Sequence, residues 1–335
     1  MLEHGGRLRA AARAYGTPLE SWMDLSTGIS PWCFPAAAIP ESIWHRLPDP
    51  DDGLDAAASA YYGNNRLLAT SGSQAAIQAL PRLFQPNRIT IVGPTYNEHA
   101  AAWRAAGHDI HWASALSEAI TQASPVTLLC NPNNPTASHT DRSTLIKAAQ
   151  ALNAHEGWLI IDEAYGDFEP EYCATPDAGS AAAPRLITLR SLGKFFGLAG
   201  ARVGFVFGER RLLARLNDML GPWTINGPAR YVAEQALADR PWQQQQRQRV
   251  RHAGQQLLAL LHEKLPRIPV DATGLFSTCT LPSATAAQSL YDHLAQHGIL
   301  VRLFATNRLV RFGIPTDTSW PRLADALQSW PNPNK

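Results

Sequence analysis

From about residue 66 the chain alternates short apolar runs with longer amphipathic stretches. Arg88–Val92 (RITIV), Val126–Cys130 (VTLLC), Trp158–Ile161 (WLII), Leu186–Leu189 (LITL) and Val203–Phe207 (VGFVF) predict strands buried on both faces. Between most of them lie segments long enough for a helix, such as Tyr96–Ala106 and Asp141–His155. Strands alternating with helices predict a largely parallel sheet covered on both sides. Only a loop separates the last two runs, so one antiparallel strand is expected there. Beyond Arg210 the pattern changes. Ala229–Lys264 predicts one long helix, followed by short strands around Gly274–Leu281, Ile299–Phe304 and Leu309–Phe312 and a closing helix near Trp320–Trp330. That is a smaller α+β domain. The expected organisation is an N-terminal arm over 1–30, a large α/β domain over 31–220 and a small domain over 221–335.

Composition narrows the function classes. The 335 residues are 45% hydrophobic and 17% charged, enough to bury a sizeable core. With 29 basic and 28 acidic residues the net charge is +1, which offers nothing to a nucleic acid or an anionic membrane surface. No apolar run approaches the roughly 20 residues that a membrane helix needs. The first residues, MLEHGGRLRAAARAYG, carry charges and glycines where a signal peptide would be apolar. Cys33, Cys130, Cys173 and Cys279 are scattered without metal-ligand spacing, which predicts reduced thiols in a cytoplasmic protein and no metal site.

Several short segments carry candidate chemistry. Ser191–Gly204 (SLGKFFGLAGARVG) places Lys194 just after a buried strand, where an unpaired ammonium is costly. An imine with an aldehyde would use that amine and relieve the charge. Ser191 and Arg202 could then bind a phosphate, although a surface lysine and a solvated arginine are the ordinary alternative. Asp162 ends the strand Trp158–Ile161, at the edge where open α/β sheets place ligands. It could face the nitrogen of an electron-withdrawing pyridine ring, or simply cap a helix. Tyr165, three residues on, could hydrogen-bond a cofactor oxygen or pack. Asn131–Thr136 (NPNNPT) predicts a tight turn, with Asn134 able to reach the same oxygen. Gly72 and Ser73, in TSGSQ before a helical stretch, suit an anion at a helix N-terminus. Tyr96, after Gly93-Pro94-Thr95, could stack on a ring or belong to the core.

The order of these segments is more informative than any one of them. Ser-Gly-Ser, then the tyrosine, NPNNPT, DEAY and SxxK with an arginine eight residues later resembles the pyridoxal-5′-phosphate (PLP) enzymes of fold type I over about residues 1–330. The resemblance implies a large domain built on a mostly parallel seven-stranded sheet, with Lys194 as the Schiff-base lysine and Asp162 as partner of the pyridine nitrogen. It further implies Asn134 and Tyr165 at the phenolic oxygen and Tyr96 stacked on the ring. Gly72, Ser73, Gln74, Ser191 and Arg202 would hold the phosphate, and a homodimer is expected.

Within that family, Glu3-His4-Gly5-Gly6-Arg7, Asp24–Pro31 (DLSTGISP) and Pro222–Asn226 (PWTIN) are similar to segments of the threonine-phosphate decarboxylases of cobalamin biosynthesis. This similarity implies a phosphorylated amino acid as substrate, with Arg311 on its carboxylate, Arg302 near its carboxylate or phosphate, and His4 near its phosphate. The family's usual Arg-Tyr-Pro, whose tyrosine crosses the dimer, is Arg46-Leu47-Pro48 here, so Tyr61 or Tyr62 is the candidate substitute. An aminotransferase of the histidinol-phosphate type and a catalytically silent PLP-fold binding module are the alternatives; retention of Lys194, Asp162 and Arg202 disfavours the second.

Overall fold

A computed structural model of the protein describes residues 4–331. Two compact units emerge, one formed by Cys33–Asn134 with His139–Gln245 and the other by 4–32, Pro135–Ser138 and 246–331. Apart from the excursion at Pro135–Ser138, the changes of unit lie near residues 32 and 245, where the sequence suggested limits at 30 and 220.

The first unit is built on the expected seven-stranded sheet. Its spatial order is Leu67–Thr70, Gly204–Phe207, Leu186–Ser191, Trp158–Asp162, Val126–Cys130, Arg88–Val92 and Asp109–Ala113. All neighbours are parallel except those of Gly204–Phe207, which runs antiparallel to both Leu67–Thr70 and Leu186–Ser191. The register aligns Cys130 with Asp162, and Ser191 and Thr70 with Gly204. The carboxyl ends of the parallel strands therefore share one edge, where an α/β sheet presents its loops to a ligand. Ile89, Ile91, Val126, Leu128, Ile160, Ile187 and Leu189 fill the core beneath it, packed against Trp103 and the helix Gly72–Ala79.

In the second unit the strands Arg302–Phe304, Leu309–Gly313, Phe276–Thr280 and Val270–Ala272 form an antiparallel sheet in that order. Met23–Asp24 pairs in parallel with Ile299–Leu300. The helix Leu8–Tyr15 rests on this unit through Ala11, Trp22, Ala295 and Leu300. Ala284–Gln296 and Trp320–Ser329 complete a separate core with Leu290, Leu294, Val310, Phe312 and Leu323.

Two expectations need correction. Ala229–Lys264 is two helices, Gly227–Ala238 and Arg240–Lys264. Asp239 has φ −82° and ψ 80°, outside the helical region, two residues before Pro241, a residue fit for the first turn of a new helix. Ile299–Phe304 is two strands, because Ile299–Leu300 pairs with Met23–Asp24 while Arg302–Phe304 pairs with Leu309–Gly313. All four cysteines are free, with Cys130, Cys173 and Cys279 buried and Cys33 exposed. No helix among the described residues is long and apolar enough to cross a membrane.

Candidate active site

At the shared strand edge of the first unit, Asp162 lies at the end of its strand and is 6% exposed. Its Oδ1 accepts the Ala164 N–H at 3.0 Å, and its Oδ2 lies 2.9 Å from His99 Nε2. Asp162 thus both braces the turn that follows it and forms one half of a buried pair. His99 is 1% exposed on the helix Asn97–Ala105. Burial alone would lower its pKa, but its hydrogen bonds to Asp162 and Cys130 outweigh this, and it is pushed up to about 10. The imidazolium so maintained compensates a carboxylate that would be costly to bury alone. His99, Cys130 and Asp162 present ligand-type atoms within 4.8 Å of one another, and the Asp162–His99 hydrogen bond already uses two of them.

Tyr96 immediately precedes that helix, with its ring 6.0 Å from His99 at 85°. Its hydroxyl donates to Gln74 Oε1 at 3.3 Å. Burial first, and then the Glu98 carboxylate, push the Tyr96 pKa upward, which keeps the hydroxyl protonated. Glu98 also accepts from Gln74 and Gln78. Asn133 joins the NPNNPT turn to this segment, accepting from Thr95 Oγ1 at 2.8 Å and donating to Pro94 O at 2.8 Å. Asn131 braces the same turn through Thr140 and Tyr172. Asn134, half-buried, follows at the turn's end.

Lys194 sits in the loop after Leu186–Ser191, half-buried, with Nζ 5.3 Å from the centre of the Tyr165 ring. That placement suits an amine shielded on one side by an aromatic face. Ser191 Oγ accepts the Gly193 N–H at 3.2 Å and so shapes the lysine loop. Arg202 adopts a left-handed backbone at φ 56° and lies beside Gly72, where an added Cβ would come within 2.8 Å of its Nη2. A side chain on Gly204 would collide with the Ser73 N–H and Arg190 O, so two glycines let the arginine and the helix start approach one another. Ser71, at the N-cap, makes no side-chain capping bond, and Arg202 lies beside this helix start. A helix start beside an arginine suits an anion.

A second set of expected residues lies in the other unit. Arg302 and Arg311 are directly opposed on neighbouring strands, and both guanidinium groups lie near the Phe304 ring, at 5.1 and 5.9 Å respectively. Arg311 is 4% exposed and donates to Ser26 O at 2.7 Å. Like charges facing each other across a ladder repel, and an anion between them removes the penalty. A cavity of about 500 Å³ is lined by His4, Arg7, Ser26, Tyr291 and Arg302, among others. His4 is exposed at its edge; Glu3 of the same motif lies outside the described residues.

Comparison with known proteins follows this geometry. The match to the aminotransferase class I and II family spans residues 36–327. The chain belongs to this family. It is 48% identical to a threonine-phosphate decarboxylase of Pseudomonas aeruginosa over 99% of both chains. It is 40% identical to a threonine-phosphate decarboxylase of a Sinorhizobium species over 97% of both chains. Among solved structures, histidinol-phosphate aminotransferase of Sinorhizobium meliloti in complex with pyridoxal-5′-phosphate superposes with a TM-score of 0.82, covering 98% of this chain and 94% of that one at 20% identity. That likeness establishes the fold.

Two features of this family member escaped the sequence reading. One is His99, whose only signal is a histidine on an otherwise alanine-rich buried helix face. The other is a buried network around Arg190, which contacts Glu163, Asp167 and Cys173. Tyr62, a suggested substitute for the missing cross-subunit tyrosine, is corrected: it is 6% exposed and packs against Phe205, Phe207 and the Arg190 guanidinium. A core side chain cannot reach another subunit. Tyr61 remains partly open beside Phe196, and Leu47 is 67% exposed.

Proposed function

We propose that the protein is a PLP-dependent carboxy-lyase that converts L-threonine O-3-phosphate to (R)-1-amino-2-propanol O-2-phosphate and CO2 in cobalamin biosynthesis. The observation that carries this is the 48% identity over 99% of both chains to a threonine-phosphate decarboxylase. The opposed Arg302 and Arg311 support it, since a substrate bearing both carboxylate and phosphate needs more cationic donors than a plain amino acid does.

The residues fit the cofactor. A buried carboxylate, a half-buried lysine and a helix start beside Arg202, cleared of side chains at Gly72 and Gly204, share one strand edge. In this reading Gly72, Ser73, Gln74, Ser191 and Arg202 hold the phosphate. Asp162 would partner the ring nitrogen, Asn134 and Tyr165 the phenolic oxygen, and Tyr96 the ring face. The chemistry supplied by bound PLP is an aldehyde carbon that takes an amine and a protonated ring that withdraws electrons from Cα. Asp162, held by His99, keeps the ring-nitrogen proton in place. Arg311 and Arg302 would hold the substrate carboxylate, a contribution to catalysis by positioning. CO2 leaves, and Lys194 Nζ returns one proton to Cα, which balances the reaction. His4 binds the substrate phosphate.

A homodimer in the cytoplasm completes the proposal. It is supported by the exposed Trp44, Leu47 and Trp223, at 64%, 67% and 58%, unusual solvent exposure for large apolar side chains, and by four unlinked thiols. The test is incubation of the holoenzyme with L-threonine O-3-phosphate, with and without 2-oxoglutarate, while CO2 and glutamate are measured. CO2 release independent of 2-oxoglutarate is expected. Glutamate formed faster than CO2 would assign the enzyme to transamination instead.

A further inference from the structure

Ser26 stands where two segments proposed to bind substrate meet within one unit. It is 1% exposed and follows the short strand Met23–Asp24. Its hydroxyl donates to Asp24 Oδ1 at 2.6 Å and accepts the Gly6 N–H at 2.7 Å. Asp24 Oδ1 also accepts the Ser26 N–H at 2.8 Å, which fixes the serine's backbone. The Ser26 carbonyl, on the other side of the residue, accepts from Arg311 Nη2 at 2.7 Å. The side chain therefore serves the N-terminal arm, while the main chain serves the buried arginine.

The neighbouring glycines show how close this contact is. A Cβ on Gly5 would collide with Ser26 O, and Gly6 adopts φ +76°, a conformation that favours glycine. Gly5 and Gly6 thus let the arm lie directly on Ser26, which brings His4 to the cavity that Ser26 and Arg302 also line. One further bond, from Gly313 N–H to Leu25 O at 2.7 Å, pins the strand of Arg311 to the same loop.

We propose that Ser26 is a positioning residue for substrate recognition, setting the arm that carries His4 through its hydroxyl and the plane of Arg311 through its carbonyl. A single buried residue then fixes the spacing between the proposed phosphate and carboxylate contacts. This inference rests on the roles of His4 and Arg311 proposed above.

The hydroxyl can be removed without touching the carbonyl. Ser26→Ala should release the arm and leave Arg311 in place. KM for L-threonine O-3-phosphate should rise about three- to tenfold, the range expected for one lost neutral hydrogen bond, with kcat changed less than about twofold. The inhibition constant of inorganic phosphate should rise in parallel. Amide hydrogen exchange at Gly6 should accelerate, and the visible absorbance of the bound cofactor should not change. Gly5→Ala, which presses on the Ser26 carbonyl that also holds Arg311, should raise KM at least as much and accelerate Gly6 exchange. Unchanged Gly6 exchange in Ser26→Ala, or faster exchange with an unchanged KM, would overturn the proposal. His4→Ala, assayed alongside, separates the two ideas. If His4→Ala raises KM and Ser26→Ala does not, the positioning role fails alone. If neither raises it, the role of His4 fails and the positioning role falls with it.

Discussion

Asp162 and Glu163 are consecutive carboxylates at the end of one strand, and their surroundings differ completely. Glu163 is fully buried and its oxygens are consumed by the fold: Oε1 accepts the Ala174 N–H at 2.6 Å, and Oε2 accepts from Thr175 Oγ1 at 2.5 Å and Arg190 at 3.2 Å. Burial pushes its pKa upward against the pull of Arg190. Arg190 also binds Asp167 Oδ1 at 2.5 Å, so one buried cation serves two acids. Asp162, by contrast, has a single charged partner, His99, and a backbone N–H. A carboxylate with every oxygen engaged by scaffold cannot turn to a ligand. One held by an imidazolium at the strand edge stays oriented for it.

Four measurements would break or sharpen this contrast. The largest effect belongs to Lys194→Ala, which should reduce CO2 release to background while calorimetric unfolding stays near wild type. Wild-type turnover in that variant would end the cofactor assignment. Next comes Arg190→Leu, which leaves Glu163 and Asp167 buried without their cation and should cost about 3–5 kcal/mol in denaturant-measured stability. Activity per folded molecule should survive; a selective loss of kcat would place the network in the chemistry. Third, Asp162→Asn should lower kcat by at least about a hundredfold, comparable to losing a strong preorganised contact, with stability much less affected than in Arg190→Leu. A loss below about tenfold would reduce Asp162 to a brace of the turn that follows it.

The smallest effect is on pH dependence. His99 titrates near 10 in the fold against an ordinary 6.5, so its folded pKa is raised. Its contribution to stability is therefore fully present below about 6.5 and is lost as pH rises towards about 10. The melting temperature of the cofactor-free protein should decline across that window. The part of the decline due to this pair should be absent in His99→Asn. An identical decline in both proteins would show that His99 is not held as a cation.

What the sequence made legible follows from these environments. The central strands were readable because a strand covered on both faces is a continuous apolar run, as in Val126–Cys130. Asp109–Ala113 (DIHWA) gave no such signal because it is a sheet edge, mostly solvent-exposed, with polar residues interleaved. Leu67–Thr70 is short and half-buried, and was not among the strands expected. The cofactor-side candidates could be nominated because each sits in a compact local motif. The partners of those residues were not, because His99 meets Asp162 across 63 positions and Arg190 meets Glu163 across 27. Nothing in the run DEAY marks which of its two acids will be buried among scaffold.

The opposed pair of arginines also sets a limit on how this chain can be altered. Arg302–Phe304 and Leu309–Gly313 are joined by the tight turn Ala305–Asn307, with Arg308 in a left-handed conformation at φ 58°. Side chains alternate along a strand, so one residue inserted into or deleted from that turn could shift the pairing by one. Arg302 and Arg311 would then point to opposite faces of the sheet with every side chain intact. Length variation here is a graver change than most substitutions, and a graft of this hairpin into a relative would have to preserve its residue count before its residue identities.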